Sequence, residues 1–401
     1  MALDMALKQL VEGKATIDVP DLDRIPGLDT VPRKKQPVFY NPIQILNRDF
    51  SVLLLATLNF DSSDLSICEP MCGTGIRGIR YALEITSGIA VLMNDLNPLA
   101  TRLTNHNVLK NSQAIKKQGC DTKVLTGDAI WLLIKQRKEE QYFDVIDIDP
   151  FGSPARYFSS SVLALKRDGI LCFTATDMPV LTGIYPAKAY KRYGITNIYR
   201  TPFCHEVALR ILIASIQREA LRYSIRLMPI LSFSADHYVR IFLRGSRIAS
   251  DEILRNTGYI GICRNCKKHH VVPMNFNDNR CDCDSIIPLI GPLWVGLLHE
   301  NDLIEAMQKR IVEVAGLRTH KRITRFLNLF KEENTVPLPY HYDIHKISKQ
   351  LSLMPPGTEQ LREKLVQRGE IAAKTHFSGI GLKTTMPINE LLDLIQEMQN
   401  Q

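Results

Sequence analysis

Between residues 65 and 175 the chain alternates short apolar runs with longer amphipathic ones. LSICEP, IAVLMND, KVLTGDA, FDVIDIDP and GILCFTATD are too short for helices and rich in Ile, Val and Leu. They read as buried strands. Between them, CGTGIRGIRYALEI, NPLATRLTNHNVLKN and IWLLIKQRKEE are expected to form helices. This βα alternation predicts an α/β, Rossmann-like domain, a parallel sheet covered by helices. HEVALRILIASIQREALRY, from residue 205, predicts a further helix, and YSIRLMPILSFSA with YVRIFLRG a closing strand pair. The domain is therefore placed at 65–250. Residues 1–64, where PVFYNPIQILNRDFSVLLLATL leads into a helix, are expected to be its N-terminal extension. A change of composition around Gly245 to Asp251 opens a cysteine-bearing segment, 251–290. An α+β, mostly helical C-terminal domain follows over 291–401.

The apolar runs all fall short of the ~18 residues that a membrane span needs. The longest candidate, IIPLIGPLWVGLL, is broken by Pro and Gly. The 401 residues carry 50 Lys and Arg against 42 Asp and Glu, a net charge of +8, which favours a polyanionic partner. Met1 to Gly13 lacks the apolar core of an export signal, so a cytoplasmic, reducing setting is expected. In that setting, clustered cysteines among the nine present are metal ligands more often than disulfides.

EPMCGTGIRGIR sets Gly73, Gly75 and Gly78 between a strand and a helix. Glycine lets the backbone turn sharply and lets a ligand approach a helix N-terminus closely. Asp95 follows 20 residues after Gly75, at the end of the next strand, where a carboxylate accepts from both hydroxyls of a ribose. Glu69, just ahead of the glycines, suits an ammonium group and would repel a pyrophosphate. Asp128 ends a further strand, placed to accept from an adenine amino group. Together these favour S-adenosylmethionine over a dinucleotide. A structural turn with a coincidental surface Asp is the bland alternative.

FDVIDIDPFGSP places Asp149 at the mouth of a strand, followed at once by Pro150 and Phe151. An exocyclic amine is a poor nucleophile, because its lone pair is delocalised into the ring. Acceptors on both N–H groups, from Asp149 and the Pro150 carbonyl, would localise that lone pair. Phe151 would stack on the flipped base. An ordinary turn at Asp149 is the alternative. Asp147 is expected to have a structural role, such as bonding to nearby backbone.

Seven segments in order resemble the tRNA (guanine-26, N2)-dimethyltransferase family: FYNP with NRD, CGTGIRGIR, NDLNP, DIDPFGSP, TATDMPVLTG, CHEVALRIL and THFSGIGLKTTMP. The resemblance spans nearly the whole chain. It implies two successive methyl transfers to one guanine N2. It implies that Arg48 contacts the methionine carboxylate of the cofactor and that Arg77, Asp95, Asp128 and Ala129 complete the pocket. Asp149 would be catalytic, with Phe39 and Phe151 sandwiching the guanine. Read alone, Arg48 and Arg77 are ordinary surface charges and Phe39 a core aromatic.

Cys263-x-x-Cys266 and Cys281-x-Cys283 have the spacing of a ribbon holding structural zinc through four thiolates, with His269 and His270 as fallback ligands. Arg318, Lys321, Arg322 and Arg325 share one helical face if a helix runs through them, a surface suited to tRNA phosphates. Lys188, Lys191 and Arg192 are interleaved with aromatics and suit the same partner. No obligate protein partner is evident, and a monomer is expected. The competing functions are an adenine-amine nucleic-acid methyltransferase, a non-catalytic RNA-binding protein and a nicotinamide dehydrogenase.

Overall fold

Parallel pairing of short, doubly buried strands organises the first half of the chain. The computed structural model describes residues 5–21, 36–58, 60, 65–246, 250–275, 278–350 and 352–399. In chain order its elements are β1 (Leu7–Glu12), β2 (Ala15–Pro20), α1 (Ile45–Thr57), β3 (Ser66–Glu69), α2 (Ile76–Glu84), β4 (Ala90–Asp95), α3 (Pro98–Lys110), α4 (Ser112–Lys117) and β5 (Asp121–Thr126). They continue with α5 (Ala129–Lys138), β6 (Phe143–Ile148), α6 (Phe158–Ala164), β7 (Leu165–Ala175), α7 (Met178–Leu181), α8 (Pro186–Tyr193), α9 (Cys204–Leu221), β8 (Leu227–Ala235) and β9 (Tyr238–Gly245).

The chain divides into two compact units. The first comprises Met1–Thr174, Phe242–Gly245 and Asp302–Arg325; the second, Ala175–Ile241, Ser246–Asn301 and Phe326–Gln401. The boundary expected near residue 250 adjoins 247–249, which lie outside the described residues.

In the first unit the sheet order is β5-β4-β3-β6-β7. The β3–β4, β3–β6, β4–β5 and β6–β7 pairs are all parallel. Direction of winding reverses between β3 and β6, so their carboxyl ends frame the crevice where such sheets bind ligands. Ile67, Val91, Met93, Val145, Ile146 and Phe173 are buried in the sheet, and Phe50, Leu54 and Ile79 in the helices.

The N-terminal extension holds a hairpin, β1–β2, which the sequence pattern did not indicate. Two asparagines one turn apart, Asn107 on α3 and Asn111 at its C-terminal cap, stand in for a missing neighbour strand. Asn107 accepts from Asp18 N at 2.8 Å and donates to Asp18 O at 3.0 Å. Asn111 does the same for Thr16, at 3.0 and 2.7 Å. This satisfies the edge of β2 and fixes where β1 delivers Glu12.

In the second unit, Glu206 on the buried helix α9 gathers three segments. It accepts from Arg210 at 2.9 Å and Lys383 at 2.7 Å and lies 3.2 Å from His341 Nδ1. Two of the quoted sequence segments, CHEVALRIL and THFSGIGLKTTMP, therefore meet as an ion pair. Strands Thr257–Ile262, His269–Pro273 and Leu289–Trp294 form a small antiparallel sheet. Helices and the strands Tyr342–Asp343, Ala372–Thr375 and Ser378–Thr384 complete the unit.

Gly78 is where α2 crosses the sheet. A Cβ there would fall 2.5 Å from Met93 Sδ and 2.8 Å from Glu69 Oε2. Gly78→Val should therefore cost about 2–3 kcal/mol by overpacking. Thermal unfolding should show a midpoint several degrees lower, and an unchanged midpoint would contradict this packing.

Candidate active site

The turn from β3 into α2 is held by glycine. Gly73 and Gly75 have φ of +55° and +76°, and a Cβ on Gly75 would lie 2.6 Å from the Thr104 side chain. The α2 N-terminus and its backbone N–H groups open directly from this turn. Asp95, at the end of β4, braces it by accepting from Gly73 N at 2.9 Å through Oδ2 and from Asn97 N at 2.9 Å through Oδ1. The buried Asn94 amide donates to Pro70 O at 3.0 Å and Gly127 O at 2.9 Å, tying the ends of three neighbouring strands together. Asp128 is exposed and caps α5, accepting from Ile130 N and Trp131 N through Oδ1. Ala129 is the buried first residue of that helix.

Arg77, 3% exposed in the first turn of α2, is the hub of the crevice. Its Nη2 donates to Asp149 Oδ2 at 2.5 Å. Its Nη1 reaches Asn47 Oδ1 at 3.0 Å, Ser51 Oγ at 3.1 Å and Asp147 Oδ2 at 3.4 Å. Nε lies 4.0 Å from Glu69 Oε1. Arg77 is thus no surface charge. Asp147 is buried and accepts from the Tyr81 hydroxyl at 2.5 Å, alongside Arg77 at 3.4 Å. Glu69 is buried and accepts from Gly78 N at 2.8 Å. Burial pushes its carboxyl up to about 8; Arg77 opposes this and Asp147 adds to it.

Arg48 on α1 heads a second network. It donates to both oxygens of Glu12, at 2.5 and 2.7 Å, and to Asn41 O at 3.2 Å, with Tyr40 against its guanidinium. Arg80 donates to Glu12 at 3.0 Å, to Asp49 at 2.7 Å and to Glu84 at 2.9 Å. Burial alone would raise Glu12, yet the guanidiniums of Arg48 and Arg80 hold it down at about 2. Asp49 also accepts from Thr319 N at 2.9 Å and Thr319 Oγ1 at 2.7 Å. Glu12, Asn47, Asp49, Ser51, Arg80 and Tyr81 were not anticipated. The signal available was the polar triplet Asn47-Arg48-Asp49 inside an apolar helix, since three consecutive residues cannot all face solvent.

Phe39 and Phe151 do come together, but edge to face, with ring centroids 4.5 Å apart and planes at 76°. A base sandwiched between them has to part the rings. Phe151 is half exposed, and Gly152 beside it has φ +81°.

Cys263, Cys266, Cys281 and Cys283 converge, with all four Sγ within 4.8 Å of one another and two pairs at 3.4 and 3.5 Å. Tetrahedral zinc–thiolate bonds of about 2.3 Å place sulfurs about 3.8 Å apart, so the donors fit. Two matching turns carry them. Cys263 O accepts from Lys267 N and Cys281 O from Asp284 N, with Lys267 and Asp284 both at positive φ. His270 Nε2 lies 3.3 Å from Cys281 Sγ, while His269 stacks on Tyr340.

A second cluster, His299, Glu333 and His376, has a different character. Ser232 N donates to His299 Nδ1 and Ser234 N to His376 Nε2, so each ring already has one nitrogen occupied by a backbone N–H, and His376 Nδ1 lies 2.6 Å from Glu333 Oε1.

The expected basic face is partly corrected. The helix spans His320–Glu333, so Arg318 precedes it and donates to Val11 O. Lys321, Arg322 and Arg325 are exposed, while Ile323, Leu327 and Phe330 are buried. Lys188, Lys191 and Arg192 are exposed on α8. Arg192 pairs with Asp177 at 2.8 Å, and Lys188 lies over the Tyr185 ring. No helix among the described residues is long and apolar enough to cross a membrane.

Residues 13–396 match the family model of N2,N2-dimethylguanosine tRNA methyltransferase. The chain is 33% identical to tRNA (guanine(26)-N(2))-dimethyltransferase of Methanobrevibacter smithii, over 98% of both chains. It is 35% identical to that of Methanoregula boonei, over 98% of this chain and 99% of the relative. Among solved structures it is similar to Trm1 from Pyrococcus horikoshii in complex with S-adenosyl-L-methionine. The TM-score is 0.85 at 31% identity, covering 97% of this chain and all of that one.

The raised Glu69 carboxyl makes stability pH-dependent. The folded state keeps this proton after the unfolded chain has lost it. The contribution is therefore complete below about 4.5, the ordinary value, and lost as pH rises to about 8. Between those limits one proton costs at most about 1.4 kcal/mol per pH unit. Glu69→Gln should flatten the fall in unfolding midpoint from pH 5.5 to 8; parallel profiles for the two proteins would refute the assignment.

Proposed function

The chain belongs to the N2,N2-dimethylguanosine tRNA methyltransferase family, and on that premise we propose how its own residues carry out the reaction. The protein transfers two methyl groups from S-adenosylmethionine to N2 of guanine 26 in tRNA, giving N2-methylguanosine and then N2,N2-dimethylguanosine. The observation that carries the assignment of the chemistry is Asp149, held by the buried Arg77 at the carboxyl end of β6, where Phe151 meets Phe39.

The cofactor supplies an electrophilic methyl on a sulfonium and leaves as the neutral thioether. With Glu69 protonated at neutral pH, Asp147 and Asp149 around a single guanidinium still leave the crevice one carboxylate in excess, which suits a cationic ligand. Asp95 would accept from the ribose and Asp128 from the adenine of a bound cofactor, with Ala129 beside it. Arg48 lies on the carboxylate side, and Gly73 and Gly75 let the ligand approach the α2 N-terminus. Asp149 and the Pro150 carbonyl accept the two N–H groups of guanine N2 and aim its lone pair. That lone pair forms the C–N bond, the C–S pair goes to sulfur, and the N2 proton leaves through Asp149 to water. Phe39 and Phe151 grip the flipped base. A Cβ on Gly152 would meet nothing within 4 Å, and this open space leaves room for the first methyl group.

Residues 1–250 carry this chemistry, 251–290 the zinc, and 291–401 most of the tRNA contacts. Lys321, Arg322 and Arg325, with Lys188 and Lys191, bind tRNA phosphates. Arg318, which donates to Val11 O, and Arg192, which pairs with Asp177, add positive charge. The enzyme works as a cytoplasmic monomer.

Asp149→Ala should abolish methylguanosine formation while leaving cofactor affinity nearly unchanged, read by nucleoside analysis of treated tRNA alongside titration calorimetry. Near-normal turnover would refute the role. Protein purified without chelator should contain one zinc per chain, bound by Cys263, Cys266, Cys281 and Cys283. Its removal should lower the unfolding midpoint before it lowers the rate per folded molecule; metal-free protein of undiminished stability would refute the site.

A further inference from the structure

We infer that α8 is a stacking platform for unpaired nucleotides of the tRNA, with Tyr190 and Tyr185 taking base faces and Lys188 and Lys191 the phosphates. The inference rests on the functional reading above, and it adds what the lysines alone do not decide: the kind of nucleotide this helix holds. Ile184, Tyr185 and Tyr190 are 49%, 48% and 63% exposed. Apolar side chains exposed singly are ordinary on any surface, but three within seven positions form a patch that asks for an occupant.

The charge around the patch selects that occupant. Between Asp177 and Glu206 the chain carries no acidic residue, while Lys188, Lys191, Arg192 and Arg200 are all exposed. Lys188 and Lys191 are three positions apart on α8 and so share one side of it. A duplex offers phosphates to such lysines but keeps its base faces inside. Tyrosine rings gain nothing from phosphates; they stack on bases that are already out of a helix. Rings and ammonium groups on one short helix therefore match a single strand. The reaction itself calls for unpaired nucleotides, since a base is out of reach inside its stack.

The helix is held from its other side. Ala189 and Tyr193 are buried. The Tyr193 hydroxyl donates to the Asp177 carboxylate, 2.8 and 2.9 Å from its two oxygens, and Arg192 closes on the same carboxylate. Tyr193 O accepts from Ser215 Oγ at 3.0 Å and from Arg218 Nη2 at 2.6 Å. Gly194 then ends the helix at φ +65°, where a Cβ would fall 2.6 Å from Arg218 Nη2. A platform fixed in this way presents its rings without first having to order them, and tyrosine has few side-chain torsions to lose. The segment TATDMPVLTG, whose Asp177 makes the clamp, thereby serves substrate binding.

The test is the tRNA affinity of the full chain across a range of salt concentrations, for wild type, Tyr190→Ala, Tyr190→Phe and Lys191→Gln. Lys188 lies 4.7 Å over the Tyr185 ring, so Tyr190 is the cleaner probe. Its exposure means that Tyr190→Ala should melt as the wild type does. The Kd of Tyr190→Ala for tRNA should rise about 5- to 100-fold at every salt concentration, because stacking releases no counterions. Tyr190→Phe keeps the ring and should stay within about threefold of wild type. Lys191→Gln should instead flatten the log–log salt dependence by about 0.7, the value for a single strand. An unchanged affinity in Tyr190→Ala, or a loss that fades as salt rises, would overturn the inference. A Tyr190→Phe variant as weak as Tyr190→Ala would overturn it too, since the hydroxyl and not the ring would then make the contact. Wild-type protein that binds no tRNA at low salt would overturn the functional reading itself, and this inference with it.

Discussion

Two buried arginines one turn apart on α2 constrain everything around them. Arg77 and Arg80 sit near a helix N-terminus, where the backbone dipoles disfavour cations, and neither reaches water. They persist because carboxylates arrive from separate elements: Glu12 from β1, Asp49 from α1, Glu69 from β3, and Asp147 and Asp149 from β6 and its end. Removing one partner from such a buried set typically costs about 3–5 kcal/mol, since the remaining charge is stranded. The network is thus less a source of net stability than a device for specifying one arrangement of β1, α1, α2, β3 and β6. The crevice lies where those elements meet.

That device also sorts the two arginine environments. Around Arg80 the acceptors are deep, and Glu12 stays ionised at about 2. Of the carboxylates paired with Arg77, Asp149 alone is partly exposed, while burial pushes Glu69 up to about 8. One helix therefore presents a closed ion cluster on one side and a responsive one on the other. Methyl transfer from a sulfonium asks for the second kind, a carboxylate-lined space with a fixed acceptor.

The sheet was legible because β3, β4, β6 and β7 are continuous apolar runs bounded by turn residues, a pattern that needs no knowledge of distant contacts. The positions of Glu69, Asp95, Asp128 and Asp149 were legible for a related reason: each lies at or just beyond the carboxyl end of a strand, and the strand ends of such a sheet are where ligands bind. The β1–β2 hairpin was not legible, since its edge is completed by Asn107 and Asn111, roughly ninety residues away in sequence. Nor was the role of Asn47 and Ser51, which read as ordinary helical polar residues until Arg77 is placed against them. The error at Arg318 was one of phase. Its spacing to Lys321 suits a helix, but the helix begins at His320, and Arg318 turns back to Val11.

The bond from Thr319 to Asp49 joins residues 270 positions apart, and it bears on the order in which the molecule is made. By the time Ala175 has been translated, β3 to β7 and every proposed reacting side chain exist. Thr319 follows only after a further stretch that, at about 5–20 residues per second, takes about 7–30 s. Until then Asp49 Oδ2 lacks its two donors, and the closed cluster around Arg80 is incomplete. A ribosome-bound chain would thus hold all the parts of a methyltransferase without a finished one, and a truncation ahead of residue 319 would stop it in the same state.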